Sequence, residues 1–116
     1  MSLRWPVAAA GLFGAAGVAL MAMAAHRGGG NLGTAAQMLL FHAPALLAIG
    51  LIAPRGRMLG FGAILLCAGT LLFAGDLVLR ELAGTRAFPM AAPAGGLAMI
   101  AGWIAVAAGA FGARNG

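Results

Sequence analysis

The stretch PVAAAGLFGAAGVALMAMAA, residues 6–25, runs for twenty positions without a charge, with Arg4 before it and His26 and Arg27 after it. About 20 apolar residues wound as a helix cross the hydrocarbon core of a bilayer. The stretch therefore reads as a transmembrane helix. A cleavable signal peptide is the competing reading, because Ala22-Met23-Ala24 imitates a small-x-small processing site. One arginine ahead of the run makes a thin positive region for such a leader, and the reading adopted is a retained span.

Three further runs follow. The glycine-rich link at 28–33 leads to Thr34, the expected N-cap of a second span over 35–53. Pro54-Arg55-Gly56-Arg57 predicts a tight basic turn, since Pro stops a helix and Gly permits reversal. The third span covers 58–79, uncharged until Asp76 and closed by Arg80 and Glu81. Residues 82–92 carry Gly84, Thr85, Arg86 and Pro89 and read as a loop, after which Pro93 opens a fourth span over 93–113. The runs show no period-two alternation, which excludes a spanning β-barrel. The expected fold is all-α: one integral membrane four-helix up-and-down bundle over residues 1–116.

Composition agrees. At 63% hydrophobic and 8% charged residues, with a mean hydropathy of +1.02, the chain has too few polar groups to cover a soluble globule, so the lipid bilayer is its expected solvent. The net charge of +5 comes from seven arginines and no lysine, against Asp76 and Glu81. Nucleic acid is not an expected partner, because the arginines sit at the ends of apolar runs instead of along one face. There they act as topology anchors and anionic-lipid contacts. Arg4, Arg55, Arg57 and Arg114 fall on one side of the membrane and Arg27, Arg80 and Arg86 on the other, a distribution that leans toward cytoplasmic termini. Cys67, the sole cysteine, permits no intrachain disulfide. Trp5 suits an interfacial belt, whereas Trp103, well inside its helix, is expected to pack against a neighbour.

Alternating helix directions place His26, Gln37, His42, Asp76, Arg80 and Glu81 in one leaflet, with His42 about 10 Å in from a helix start at residue 35. A carboxylate or imidazole facing lipid at the membrane centre costs roughly 2.5 kcal/mol or more, so these groups are expected to turn inward. Pro44 frees the Leu40 carbonyl near His42. The candidate cluster is His26, Gln37, His42, Asp76 and Arg80. Two accounts of it stand open. In one, Asp76 and Arg80 pair i,i+4 along their own helix, His26 is exposed, and His42 bonds Gln37 or a backbone carbonyl. In the other, His42 and Asp76 handle a proton, ligand or metal, with His26 as a third donor. Metal-binding spacings of the HxxxH or CxxC type are absent, and Ser2 is the only serine. No enzyme activity and no cofactor are expected.

Phe73-Ala74-Gly75-Asp76, Ala92-Pro93-Ala94-Gly95-Gly96 and Ala101-Gly102-Trp103 resemble the second half of the domain-of-unknown-function 423 family, the transmembrane protein 256-like small inner-membrane proteins. That family's pattern has a Phe-Ser-Gly-Ser run, a Thr-Pro-x-Gly-Gly turn and an Ala-Gly-Trp. In the first half, Ala24-Ala25-His26 and the segment from Gln37 to His42-Ala43 resemble the family's Gly-Ala-His and Tyr-Gln-Met-Tyr-His-Ala more loosely. The resemblance implies a four-helix protein of the bacterial inner membrane and no defined activity. Asp76 stands where the family has serine and the tyrosines are missing, so pocket chemistry common to the family is altered here.

The leading functional expectation is a structural or accessory subunit of a larger membrane complex, or a homo-oligomer, held by small-residue faces such as Ala10 with Gly14, Gly56 with Gly60, and Ala101, Ala105 and Gly109. A solute or cation transporter using Asp76 and His42 is the second expectation, and metal or haem binding through His42 and His26 the third.

Overall fold

A computed structural model describes residues 4–28, 30–52 and 56–113. They form four helices, α1 Trp5–Arg27, α2 Asn31–Ile52, α3 Arg57–Ala83 and α4 Ala91–Ala113. Each is long and apolar enough to cross a membrane, and the chain is a multi-pass membrane protein. Pro54, Arg55 and Arg114 lie outside the described residues.

Helix ends follow local chemistry. Pro6 sits in the first turn of α1, and Gly28 at φ 95° closes it, its N–H donating to the Ala24 carbonyl at 2.9 Å. His26 and Arg27 complement the dipole at that end. Helix α2 begins at Asn31, four residues before the expected start. Thr34 is consequently not its cap: both its amide and its hydroxyl donate to the Gly30 carbonyl, at 3.1 and 3.3 Å, from within the first turn. Pro44 lies inside α2 without ending it. Helix α3 runs past Arg80 and Glu81 to Ala83, because an Arg in the last turn suits a helix C-terminus, and Gly84 at φ 71° then stops it.

The α3–α4 connection ends in a tight turn. Pro89 occupies its second position, Met90 its third at φ 69°, and the Ala91 N–H donates to the Phe88 carbonyl at 3.1 Å. Pro at the second position and positive φ at the third define a type II turn, in which the third residue is normally glycine. Met90 is the one non-glycine residue at positive φ among those described.

Packing runs α1 against α2, α3 against α4, and α2 against α3. The α3–α4 pair approaches backbone to backbone. A Cβ at Gly69 would lie 2.8 Å from the Gly95 carbonyl oxygen and from the Met99 nitrogen; one at Gly95 would lie 2.6 Å from the Phe73 nitrogen. Farther along, a Cβ at Gly62 would lie 3.1 Å from the Gly102 oxygen and one at Gly102 would lie 3.0 Å from the Leu66 nitrogen. The glycines recur every seven residues on both helices, at 62 and 69 and at 95 and 102, as a seam that stays on one face must. In α1–α2 the near approaches are Gly17 to Leu40 and Gly50 to Val7. Phe13, Leu39, Leu46 and Leu66 fill the interior, while Leu12, Phe41, Ile64, Leu97 and Ile104 face outward, as lipid contact requires. Of the small-residue pairs expected from the sequence, Gly14 and Gly60 would have nothing within 4 Å of an added Cβ, whereas one added at Gly109 would lie 3.4 Å from the Leu59 nitrogen.

Gly69→Ala is expected to destabilise the chain by about 1–3 kcal/mol, since backbone and not a flexible side chain stands in the way. Gly75→Ala, with open space around it, should be neutral or stabilising by up to about 1 kcal/mol through helix propensity. Reversible unfolding in mixed detergent micelles compares the two.

Candidate functional site

Three side chains with polar character are buried among the described residues: His42, Thr70 and Asp76. His42 is brought inward by α2 on the stripe that also buries Leu39, Leu46 and Ile49. Its Nδ1 lies 2.7 Å from the Met38 carbonyl oxygen one turn back, and its Nε2 lies 3.1 Å from the Trp103 Nε1 of α4. An indole N–H can only donate, so Nε2 accepts and the ring proton resides on Nδ1, which donates to Met38. The geometry selects the neutral Nδ1–H tautomer with both nitrogens engaged. The rings stand 5.7 Å apart at 49°. Trp103 thus meets a neighbour, while remaining partly exposed to lipid.

The earlier start of α2 changes the depth of His42. Eleven residues separate Asn31 from His42, about 16 Å of helix. This places the imidazole at mid-helix, deeper than the 10 Å expected from a start at residue 35. Trp103 is likewise central in α4, and Thr70 in α3. The polar groups are therefore not gathered at one level of one leaflet. Thr70 has no distinguishing signal in the sequence; it is fully buried, and its Oγ1 has no hydrogen-bond partner among the described residues.

Asp76 forms a separate centre nearer the membrane edge. Its Oδ2 accepts from Arg80 Nη2 at 2.8 Å and Nε at 3.1 Å, and its Oδ1 accepts from the Ala87 amide at 2.7 Å. The carboxylate is buried, while the Arg80 side chain keeps about a quarter of its surface exposed, at 28%. One acidic group thus pins an arginine on its own helix and a loop amide eleven residues on.

The expected cluster does not assemble. His26 and Gln37 are exposed, Asp76 with Arg80 forms one unit, and His42 with Trp103 another. Gln37 and His42 are five residues apart, about 140° around a helix, so they cannot share a face. No group of three or more His, Cys, Asp or Glu that could hold a metal ion occurs among the described residues. An apolar groove of about 470 Å³ opens between α1 and α3, bounded by Leu12, Phe13, Cys67, Leu71 and Val78 over Leu39. None of the candidate polar residues lines it.

Residues 7–96 match the family described as "Protein of unknown function (DUF423)". The matched region includes both polar centres except Trp103, which lies beyond it together with Ala101 and Gly102. Neither the curated proteins nor the solved structures contain a match to the chain.

Trp103→Phe keeps an aromatic ring but removes the donor to His42, and is expected to lower stability by about 1 kcal/mol. In the parent chain, ¹⁵N NMR of the His42 ring should report the Nδ1–H tautomer. Thr70→Val, nearly isosteric and without the orphan hydroxyl, should raise stability by about 1 kcal/mol.

Proposed function

This chain belongs to the DUF423 family of proteins of unknown function, and from that premise we propose that it is a structural or accessory subunit of a larger membrane complex. The observation that carries the reading is the internal use of its buried reactive groups. Both nitrogens of His42 and both oxygens of Asp76 are taken up by the chain's own atoms. Apart from the Thr70 hydroxyl, what remains unpartnered among the described residues is helix surface. Gly11, Ala15 and Ala19 form an exposed stripe on α1 at i, i+4 and i+8, and nothing lies within 4 Å of a Cβ at Gly11. Small residues at that spacing let a second helix approach closely, which is how helices associate where lipid removes the hydrophobic driving force.

A bacterial inner-membrane location with cytoplasmic termini accompanies this reading, supported by the family resemblance and by the four arginines against three. A solute or cation carrier coupled through Asp76 and His42 draws less support, since each would have to give up existing bonds before handling a proton. Metal or haem ligation by His42 with His26 meets the same obstacle, and His26 lies exposed at the end of α1.

The test is a pair of bulky substitutions on α1, Gly11→Leu with Ala15→Leu, in the full chain, with size read on native gels of membranes solubilised in mild detergent. The parent should migrate within an assembly larger than its own 11.4 kDa, and the variant as a smaller species with unchanged helicity and thermal midpoint. A parent that migrates alone, or a variant that keeps its assembly, would overturn the reading.

A further inference from the structure

The Phe88-Pro89-Met90 turn displays apolar side chains at a backbone cost. Met90 holds φ at 69°, a conformation that an L side chain adopts only under strain and that glycine adopts freely. Met90 is 63% exposed, and Phe88, two residues before it, 48%. Neither residue offsets the strain by burial within this chain. Bonds from the Ala91 amide to the Phe88 carbonyl and from the Ala94 amide to the Met90 carbonyl hold the turn, but its two apolar side chains can be buried further only against a surface outside the chain.

The height of the turn identifies that surface. Asp76 lies seven residues before the end of α3 at Ala83, about 10 Å along the helix axis. Its carboxylate accepts from the Ala87 amide, so the chain leaving α3 at Gly84 descends beside the helix it has just left. It reaches the level of Asp76 before α4 begins. Phe88 is the next residue and Met90 the third after Ala87, so both lie inward of the C-terminal end of α3, whose 27 residues exceed the roughly 30 Å hydrocarbon core and carry that end out among the headgroups. From residue 87 to residue 113 there is no charge, and the exposed apolar surface of the turn continues into Leu97, Ile100 and Ile104 on α4. Above the turn, Arg86 is exposed and of the sign that anionic headgroups attract.

We infer that the Phe88-Pro89-Met90 turn is a re-entrant anchor seated in the headgroup–acyl boundary of its own leaflet, beneath anionic lipid that Arg86 contacts. Asp76 is its positioning residue: bonds to Arg80 and to Ala87 hold the descending loop in place, so that the two side chains meet lipid without further ordering.

Site-directed spin labels in the full chain test the inference, with Cys67→Ala leaving one thiol at a time at Thr85→Cys, Phe88→Cys or Met90→Cys. The protein is reconstituted in vesicles of phosphatidylethanolamine and phosphatidylglycerol. Collisions with dissolved oxygen should exceed those with a water-soluble nickel chelate at positions 88 and 90, and the order should reverse at 85. Labels at 88 and 90 as open to nickel as at 85 would overturn the inference. So would labels shielded from both reagents in native membranes yet open to nickel in vesicles, since a protein partner would then be the occupant. On the unsubstituted chain, the Met90 methyl resonance should broaden with a lipid-borne relaxation agent and not with an aqueous one; the opposite pattern again overturns it.

Discussion

The backbone contact between α3 and α4 is the constraint on which the other features depend. In a bilayer, lipid tails are as apolar as leucine, so helices gain little by merely exchanging lipid for each other. What remains is close dispersion packing, which falls off within an ångström of separation. Gly62, Gly69, Gly95 and Gly102 remove the side chains that would hold the two helices apart. The approach fixes the register of the hairpin, with Phe73 level with Gly95 and Leu66 level with Gly102. That register in turn brings Trp103 to His42 across the bundle and leaves Asp76 near the first turn of α4.

Both polar centres then read as consequences of the packing. An imidazole at mid-membrane needs partners for two nitrogens, and it finds one on its own helix and one on α4. The indole bond is also a tie between the two hairpins, joining α2 to α4 through a directional contact. Asp76 does comparable work at the edge. By accepting from Ala87 it satisfies a loop amide that would otherwise face the membrane boundary unpaired.

The spans were legible because charge-free runs of about 20 residues have few alternative readings. Their ends were less so. Thr34 has the chemistry of a cap, yet an apolar helix entering from the interface can begin a turn earlier at Asn31 and use the same hydroxyl as a back-bond. That one boundary puts His42 at the middle of its helix. Its separation from Gln37 was readable from helical geometry, since five residues place two side chains on different faces. The seven-residue glycine spacing was also present in the sequence, but with twenty glycines in the chain periodicity alone does not say which face meets which. Trp103 as the partner of His42 depends on the register of α3 and α4, and Thr70 on which side of α3 is enclosed. Neither has a local signature.

The contrast between Gly69 and Met90 shows how differently this chain uses a small-residue requirement. At Gly69 the demand comes from inside: two backbones occupy the volume a Cβ would need, and glycine is present. At Met90 the demand is conformational, glycine would relieve it, and a long apolar side chain stands there nonetheless. Internal packing explains the first residue completely and the second not at all, because the Met90 side chain has little protein around it. A position at which local backbone preference is overruled while the side chain gains no burial within the chain directs attention to the solvent, and here the solvent at that height is the lipid boundary. The carboxylate of Asp76 links the two cases, for it stands at the level of the glycine seam's last contacts and holds the loop that carries the strained residue.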